Sequence, residues 1–439
     1  METTRPVRAA YGAALVGPVA IVVLLVLRHG VNVPFWDQWE LVGPLTRFQD
    51  GTLGWAEIFR QHNEHRMVVP KIVMLSLALL TGWNVVAEML AGILLTVAAL
   101  GLLVALARPI LRPAGPMVRL WATFTISAML FSQAQWQNWL WGWQIQWFLG
   151  VLAAVFSIAL ATWSLEKARP WAHVVGAAVA ALVCQFSIAS GVVVWMCGAL
   201  VFAFHAQRRL ILPLWFAAAV AASASFLAGY ERAPAHPSLL AAVEHPFSFL
   251  VFLGNYLSGP LGRHAAIGIA AATGFGVLAV IAARRHRREP RVIVPWIALG
   301  AFAGANAVLT GIGRVGMGAG RGLSSHYVTI ALLLSVSLVP LGIAAFRAGP
   351  DAGWTSLQRK AWTSGAALLS LLTILGDIGE WKRAADHARE MATARGCLLA
   401  IETATDDCLG RLYPDPAAVR AWEPQLRAIG WSGFVESGR

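Results

Sequence analysis

The chain is expected to be an all-α membrane protein, a polytopic helix bundle of about eleven spans. Three observations predict this. Of 439 residues, 58% are hydrophobic and only 13% charged, where soluble domains are roughly a quarter charged. Apolar runs of near-spanning length recur from residue 9 to residue 376 with no long polar gap between them. The mean hydropathy is +0.63. Together they exclude disorder, collagen, a coiled coil and an ordinary soluble enzyme.

A span needs about 20 apolar residues. The runs that meet this are 9–28, 84–107, 119–134, 143–164, 171–188, 190–205, 210–229, 264–283, 292–312, 327–346 and 361–376. The first lacks a small-residue cleavage site and is retained as an anchor. Two shorter stretches, 67–82 and 246–258, are expected at the outer interface as partly amphipathic helices. Residues 377–439 carry ten acidic and eight basic residues and no spanning run. The expected organisation is therefore a transmembrane domain, 1–376, and a small soluble tail, 377–439.

Loop charge sets the orientation. With these spans, one side receives 17 basic and four acidic residues, including the run Arg284, Arg285, Arg287, Arg288 and Arg291. The other side receives nine basic and eight acidic. Positive loops stay cytoplasmic, so the N-terminus is expected inside and the tail outside, in a bacterial-type inner or plasma membrane. The net charge of +12 then reports topology, and no nucleic-acid partner is expected. Cys184 and Cys197 fall in apolar spans as packing residues. Cys397 and Cys408 lie in the outer tail, where a disulfide between them is permitted; two separate free thiols are the alternative.

The unusual residues cluster on the outer face. The first outer loop, 29–83, opens with Trp36-Asp37-Gln38-Trp39-Glu40. Asp37 and Glu40, three apart, would share a helix face beside Trp36 and Trp39. Such carboxylates can act as a general base on a sugar hydroxyl or hold a divalent cation; metal dependence stays open, with Asp37 and Glu40 the candidates. The loop ends in His62-Asn63-Glu64-His65-Arg66. His62 and His65, three apart, could pair on a metal if helical, but acid/base work or phosphate contact is the stronger reading. The run is otherwise a polar cap for 67–82.

Between Gln133 and Trp147 stand five Trp and five Gln. Indole faces stack on sugar rings and amides bond hydroxyls, with Gln137 and Trp139 as candidates. An interfacial aromatic belt would explain the Trp but not the Gln, which is costly there without partners. Further outer-end candidates are Arg263 and, in the glycine-rich stretch 311–327, Arg314, Arg321, His326 and Tyr327. Flexible glycines with arginine can wrap a phosphate.

These parts resemble the GT-C superfamily of integral-membrane glycosyltransferases. The likeness lies in an early loop carboxylate, Asp37, and a second acidic position, Glu64, before the Val69-Pro70 helix. The resemblance implies an inverting transferase that moves a sugar from a polyprenyl-phosphate donor to an extracytoplasmic glycan, lipid or protein acceptor. It implies Asp37 and Glu64 as catalytic. Glu40, His62, His65, Arg66, Trp36, Trp39, Gln137, Trp139, Arg263, Arg314, Arg321, His326 and Tyr327 would serve substrate. The alternative is a transporter or flippase for a lipid-linked glycan. Ionisable residues are nearly absent mid-span, where a proton-coupled carrier needs them.

Overall fold

The computed structural model describes residues 5–232, 237–346 and 355–436. Among them every regular element is helical. The first long helix, α1 (Arg5–His29), leads to a 3-10 turn at Trp36–Leu41. The short helices α2 (Val42–Gln49), α3 (Trp55–Phe59) and α4 (Val68–Thr81) complete the first loop. Helix α4 stops where Gly82 takes a left-handed φ of 62°, which glycine adopts without steric cost. Asn84 restarts the chain, its side chain accepting from the Val86 amide as an N-cap.

The bundle follows as α5 (Val85–Leu111), α6 (Pro116–Leu130), α7 (Trp136–Trp139), α8 (Ile145–Ser164), α9 (Trp171–Gln185) and α10 (Val193–Phe202). It continues with α11 (Arg208–Leu227), α12 (Ala241–Glu244), α13 (Pro246–Ser258), α14 (Ala265–Arg285) and α15 (Pro290–Arg314). Helix α16 (Ser325–Phe346) is buried along its length, enclosed by α5, α6, α8, α13, α14 and α15. Its apolar residues therefore pack on all sides, as a helix hydrophobic all round must. Its first turn carries His326 and Tyr327 to the end of the bundle where Trp147 lies, 6.2 and 6.3 Å from their rings.

Eight helices among the described residues are long and apolar enough to cross a membrane. Eleven apolar runs were expected to span. Three of the apolar runs end early. The run at 119–134 is the 15-residue α6, 171–188 the 15-residue α9, and 190–205 contains the 10-residue α10. At 1.5 Å per residue, 15 residues reach about 22 Å, short of a hydrocarbon core of about 30 Å. The chain leaves the α-helix at Phe131–Gln135, where the Gln133 and Ala134 amides donate to Asp377 at 2.8 and 3.1 Å, and again at Phe186–Val192. The stretches 67–82 and 246–258 form the short helices α4 and α13.

The tail has no helix boundary at 376. Helix α17 (Ser356–Leu399) is continuous across it; Gly376 and Gly379 lower its helix propensity, but no proline interrupts it. Beyond it lie α18 (Asp406–Leu409), α19 (Pro416–Ala428) and α20 (Ser432–Glu436). Residues 437–439 lie outside the described residues. Cys397 and Cys408 form a disulfide with Cα atoms 6.3 Å apart. The tail packs back on the first loop, with Trp422 stacked on Trp39 at 5.9 Å.

Candidate active site

The residues around Asp37 are set by an irregular backbone. Trp36 has a φ of 49°, a left-handed conformation costly for a bulky side chain. Its amide donates to the Leu412 carbonyl at 2.7 Å. Gln38 caps its own turn from below, its side chain accepting from the Phe35 amide at 3.3 Å. The Gln38 amide also donates to the buried Glu88 carboxylate at 2.7 Å, and the Trp83 indole donates to the same carboxylate at 3.1 Å. In the 3-10 turn residues i and i+3 eclipse, so Asp37 and Glu40 project to one side.

His62-Asn63-Glu64-His65 is a tight turn, not a helix. The His62 and His65 backbones exchange both hydrogen bonds, at 2.9 and 2.8 Å, and Asn63 takes a φ of 48°, which Asn tolerates. The turn sends the two rings to different partners. His62 stands between the two carboxylates, with Nδ1 2.8 Å from Glu40 Oε2 and Nε2 3.3 Å from Asp37 Oδ2. Burial acts to lower this imidazole, but the hydrogen bonds to Asp37 and Glu40 outweigh it and raise it to about 9. The ring therefore donates from both nitrogens at neutral pH. His65 Nδ1 accepts from the Ala189 amide at 2.9 Å, and burial drives this ring down to about 4, so it is neutral.

Glu64 pairs with Arg314. Burial would raise its carboxyl, but the fields of His65 and Arg314 and the Arg314 hydrogen bond hold it at about 2. Because His65 is neutral near pH 7, the lasting positive charge is that of Arg314.

These groups line one cavity of about 590 Å³. Its lining includes Asp37, His62, Glu64 and His65 from the first loop, and Arg314, Arg321, His326 and Tyr327 from the glycine-rich stretch. Trp141, Trp143, Gln144, Gln146 and Trp147 line it too, with Tyr230 and Arg232. Arg321 is exposed, its backbone bonds to Gly318 and Ser324, and its side chain has no hydrogen-bond or ion-pair partner among the described residues. Gln144 Oε1, Gln146 Oε1 and Trp143 Nε1 are buried without partners, a costly arrangement unless a polar ligand meets them.

The remaining expected residues lie elsewhere. Glu40 reaches the site through His62. Arg66 donates to the carbonyls of Phe226 at 2.6 Å and Phe59 at 3.0 Å and to that of Ala228; its fork ties the loop to the end of α11 rather than facing the cavity. Arg263 donates to the Leu323 carbonyl at 2.7 Å and pairs with Glu380 at 3.4 Å. Trp39 is fully buried against Trp422, not in a headgroup layer. Trp139 is buried between Phe131 and Phe148, 6.0 and 4.5 Å away. Gln137 and the half-exposed Trp36 are outside the lining. The Trp/Gln run does reach the cavity, but through its later residues, because α7 ends at Trp139 and the chain turns at Leu140–Gly142.

A divalent cation between Asp37 and Glu40 does not fit this donor set. The His62 ring occupies the gap and uses one oxygen of each carboxylate. Among the described residues no cluster of three or more His, Cys, Asp or Glu is arranged to ligate a metal.

No family model matches the chain, and no curated protein matches it in sequence. Two solved structures are similar in the course of the backbone. One is the Archaeoglobus fulgidus oligosaccharyltransferase in its apo form, with a TM-score of 0.48 at 14% identity. The other is the archaeal oligosaccharyltransferase AglB from the same organism, in complex with an inhibitory peptide and a dolichol-phosphate, with a TM-score of 0.49 at 13% identity. Each likeness covers 92% of this chain, which spans 60% of the length of either neighbour. Similarity at this level carries no residue role across.

Sequence reasoning missed Gln38, Trp83 and Glu88, and it missed Tyr230, Arg232, Gln144 and Gln146. Glu88 had a signal, as a lone acid in the first turn of an apolar helix, which demands a buried partner. Tyr230 and Arg232 had none, being ordinary loop residues until the chain closes.

Proposed function

We propose that the chain is a membrane glycosyltransferase that moves a sugar, with inversion, from a polyprenyl-phosphate donor to an extracytoplasmic hydroxyl acceptor. The observation that carries the reading is one cavity lined by both the Asp37 carboxylate and Arg321, whose side chain makes no hydrogen bond or ion pair among the described residues. A base and an anion-binding cation in one cavity are what transfer from a phosphate leaving group needs.

In this reading the sugar lies against the Trp and Gln lining, where indole faces and the unpartnered amides receive ring and hydroxyls. Asp37 takes the proton of the acceptor hydroxyl. The oxygen forms its bond to the anomeric carbon as the carbon–oxygen bond to phosphate breaks. The electron pair leaves with the polyprenyl phosphate, whose charge Arg321 stabilises. Glu64 acts by orienting Arg314 toward the same anion. His62 holds Asp37 and Glu40 in register. The acceptor is a glycan, lipid or protein, and the arginine-rich loops support a cytoplasmic N-terminus and an outer tail.

The test is sugar transfer by the purified chain in lipid nanodiscs, offered a panel of polyprenyl-phosphate sugars with hydroxyl acceptors. Release of polyprenyl phosphate by the wild type, lost in a folded Asp37→Asn variant, is the expected result. Full activity of Asp37→Asn would falsify the mechanism.

A further inference from the structure

The tail reaches the catalytic turn through one backbone contact. Leu412, just after Cys408, gives its carbonyl to the Trp36 amide at 2.7 Å. Trp36 precedes Asp37 and sits in the left-handed region, so something outside the turn must hold it there. Leu412 is itself fully buried, and its amide is bonded to the Leu409 carbonyl at 2.9 Å. Leu409 belongs to α18, whose Cys408 is bonded to Cys397 at the end of α17. The next residue, Tyr413, feels both carboxylates. Burial first, and then the charges of Glu40 and Asp37, push its hydroxyl up. Further contacts seat the tail on the same loop, as the Asn32 amide donates to Ser432 Oγ at 2.9 Å and the Ser432 amide to the Gly82 carbonyl at 2.7 Å.

We propose that the disulfide-closed segment from Cys397 to Leu412 is a positioning element for Asp37, so that an oxidised tail is part of the active centre. Leu412 and the two cysteines touch no substrate. They act by holding Trp36 in its unfavourable conformation, which aims the neighbouring carboxylate into the cavity. Opening the disulfide frees the α18 turn, the carbonyl drifts, and Trp36 relaxes toward an ordinary φ. The inference deepens the transferase reading and rests on it for its kinetic consequence, but the clamp itself does not.

The experiment compares the full-length protein in nanodiscs, oxidised and after reduction with a membrane-impermeant phosphine. A Cys397→Ser/Cys408→Ser variant serves as a second route to the open state. Cys184 and Cys197 are buried free thiols and do not respond. Hydrogen–deuterium exchange over 33–41 is expected to quicken while the long helices stay protected. The turnover number is expected to fall by about tenfold or more with the donor KM within about twofold, as misplacement of a base by a fraction of an ångström does. Unchanged exchange over 33–41 overturns the clamp. Faster exchange with unchanged turnover overturns the positioning role and leaves a structural contact. A wild type inactive on every donor overturns the transferase reading, and the exchange result still decides the clamp.

Discussion

Arg314 closes an ion pair with Glu64 although 250 positions separate them in the chain. The pair joins the first loop to the end of α15, and both partners line the cavity. Each partner is about a quarter exposed. Removing Arg314 leaves a half-buried carboxylate uncompensated. Arg314→Ala should therefore cost about 1–3 kcal/mol, below the figure for a fully buried pair. Thermal unfolding in detergent measures it, and Glu64→Gln/Arg314→Ala should recover part of the loss.

Asp37→Asn keeps the shape of the turn and removes its base. Turnover should fall by about 10²–10⁴, the range of general acid–base catalysis. Donor binding, read by equilibrium titration, should be nearly unchanged. A variant that loses binding as much as turnover would place Asp37 in recognition instead.

The bridge through His62 gives a pH signature. Its folded value is raised from 6.5 to about 9, so the folded state binds the proton more tightly than the unfolded. The stabilisation is fully present below about pH 6.5 and is lost as pH rises through about 9. The melting temperature of the wild type should drop between pH 7 and 10 more than that of His62→Gln. Parallel pH curves for the two proteins would disprove the charged bridge.

Gly142 lies where the lining of the cavity meets the Gln38–Glu88 pair. A Cβ there would contact the Glu88 carboxylate and come within 2.7 Å of Gln38 Nε2. Gly142→Ala should push Gln38 off Glu88 and cost about 1–3 kcal/mol by overpacking. Because Gln38 also caps the Asp37 turn, turnover should fall with it. Paired measurement of melting temperature and turnover checks both effects.

Gln146 Oε1 is buried in the cavity lining without a partner. If it receives a sugar hydroxyl, Gln146→Leu should raise the donor KM by about threefold to tenfold with turnover little changed, the value of one uncharged hydrogen bond. The protein itself should be no less stable, since no internal bond is lost. A fall in turnover at constant KM would contradict this role.

Much of the candidate site was legible because its residues break local rules. Acids beside tryptophans at 36–40, four ionisable groups packed into 62–66, and arginines in a glycine run are all expensive near a membrane, so they stand out before any folding. The Trp/Gln run stood out likewise, but its useful members did not. Whether Trp139 or Trp143 meets the cavity depends on a helix ending at Trp139, and local composition does not mark that end. Eleven apolar runs and eight long helices differ for a related reason. Hydropathy sums residues and cannot see the helix breaks after α6 and α9, whose freed amides at Gln133, Ala134 and Ala189 go to Asp377 and His65.

From the sequence alone come the helical class, the membrane environment and the stretches 36–40, 62–66 and 311–327 where unusual residues gather. Each follows from composition and period, which need no partner. Tertiary structure alone decided that Arg66 and Arg263 bind carbonyls while Arg321 stays unpaired. It also decided that His62 fills the gap between Asp37 and Glu40, and that the tail clamps Trp36. Those are contacts between residues far apart in the chain, and only the closed bundle brings them within reach.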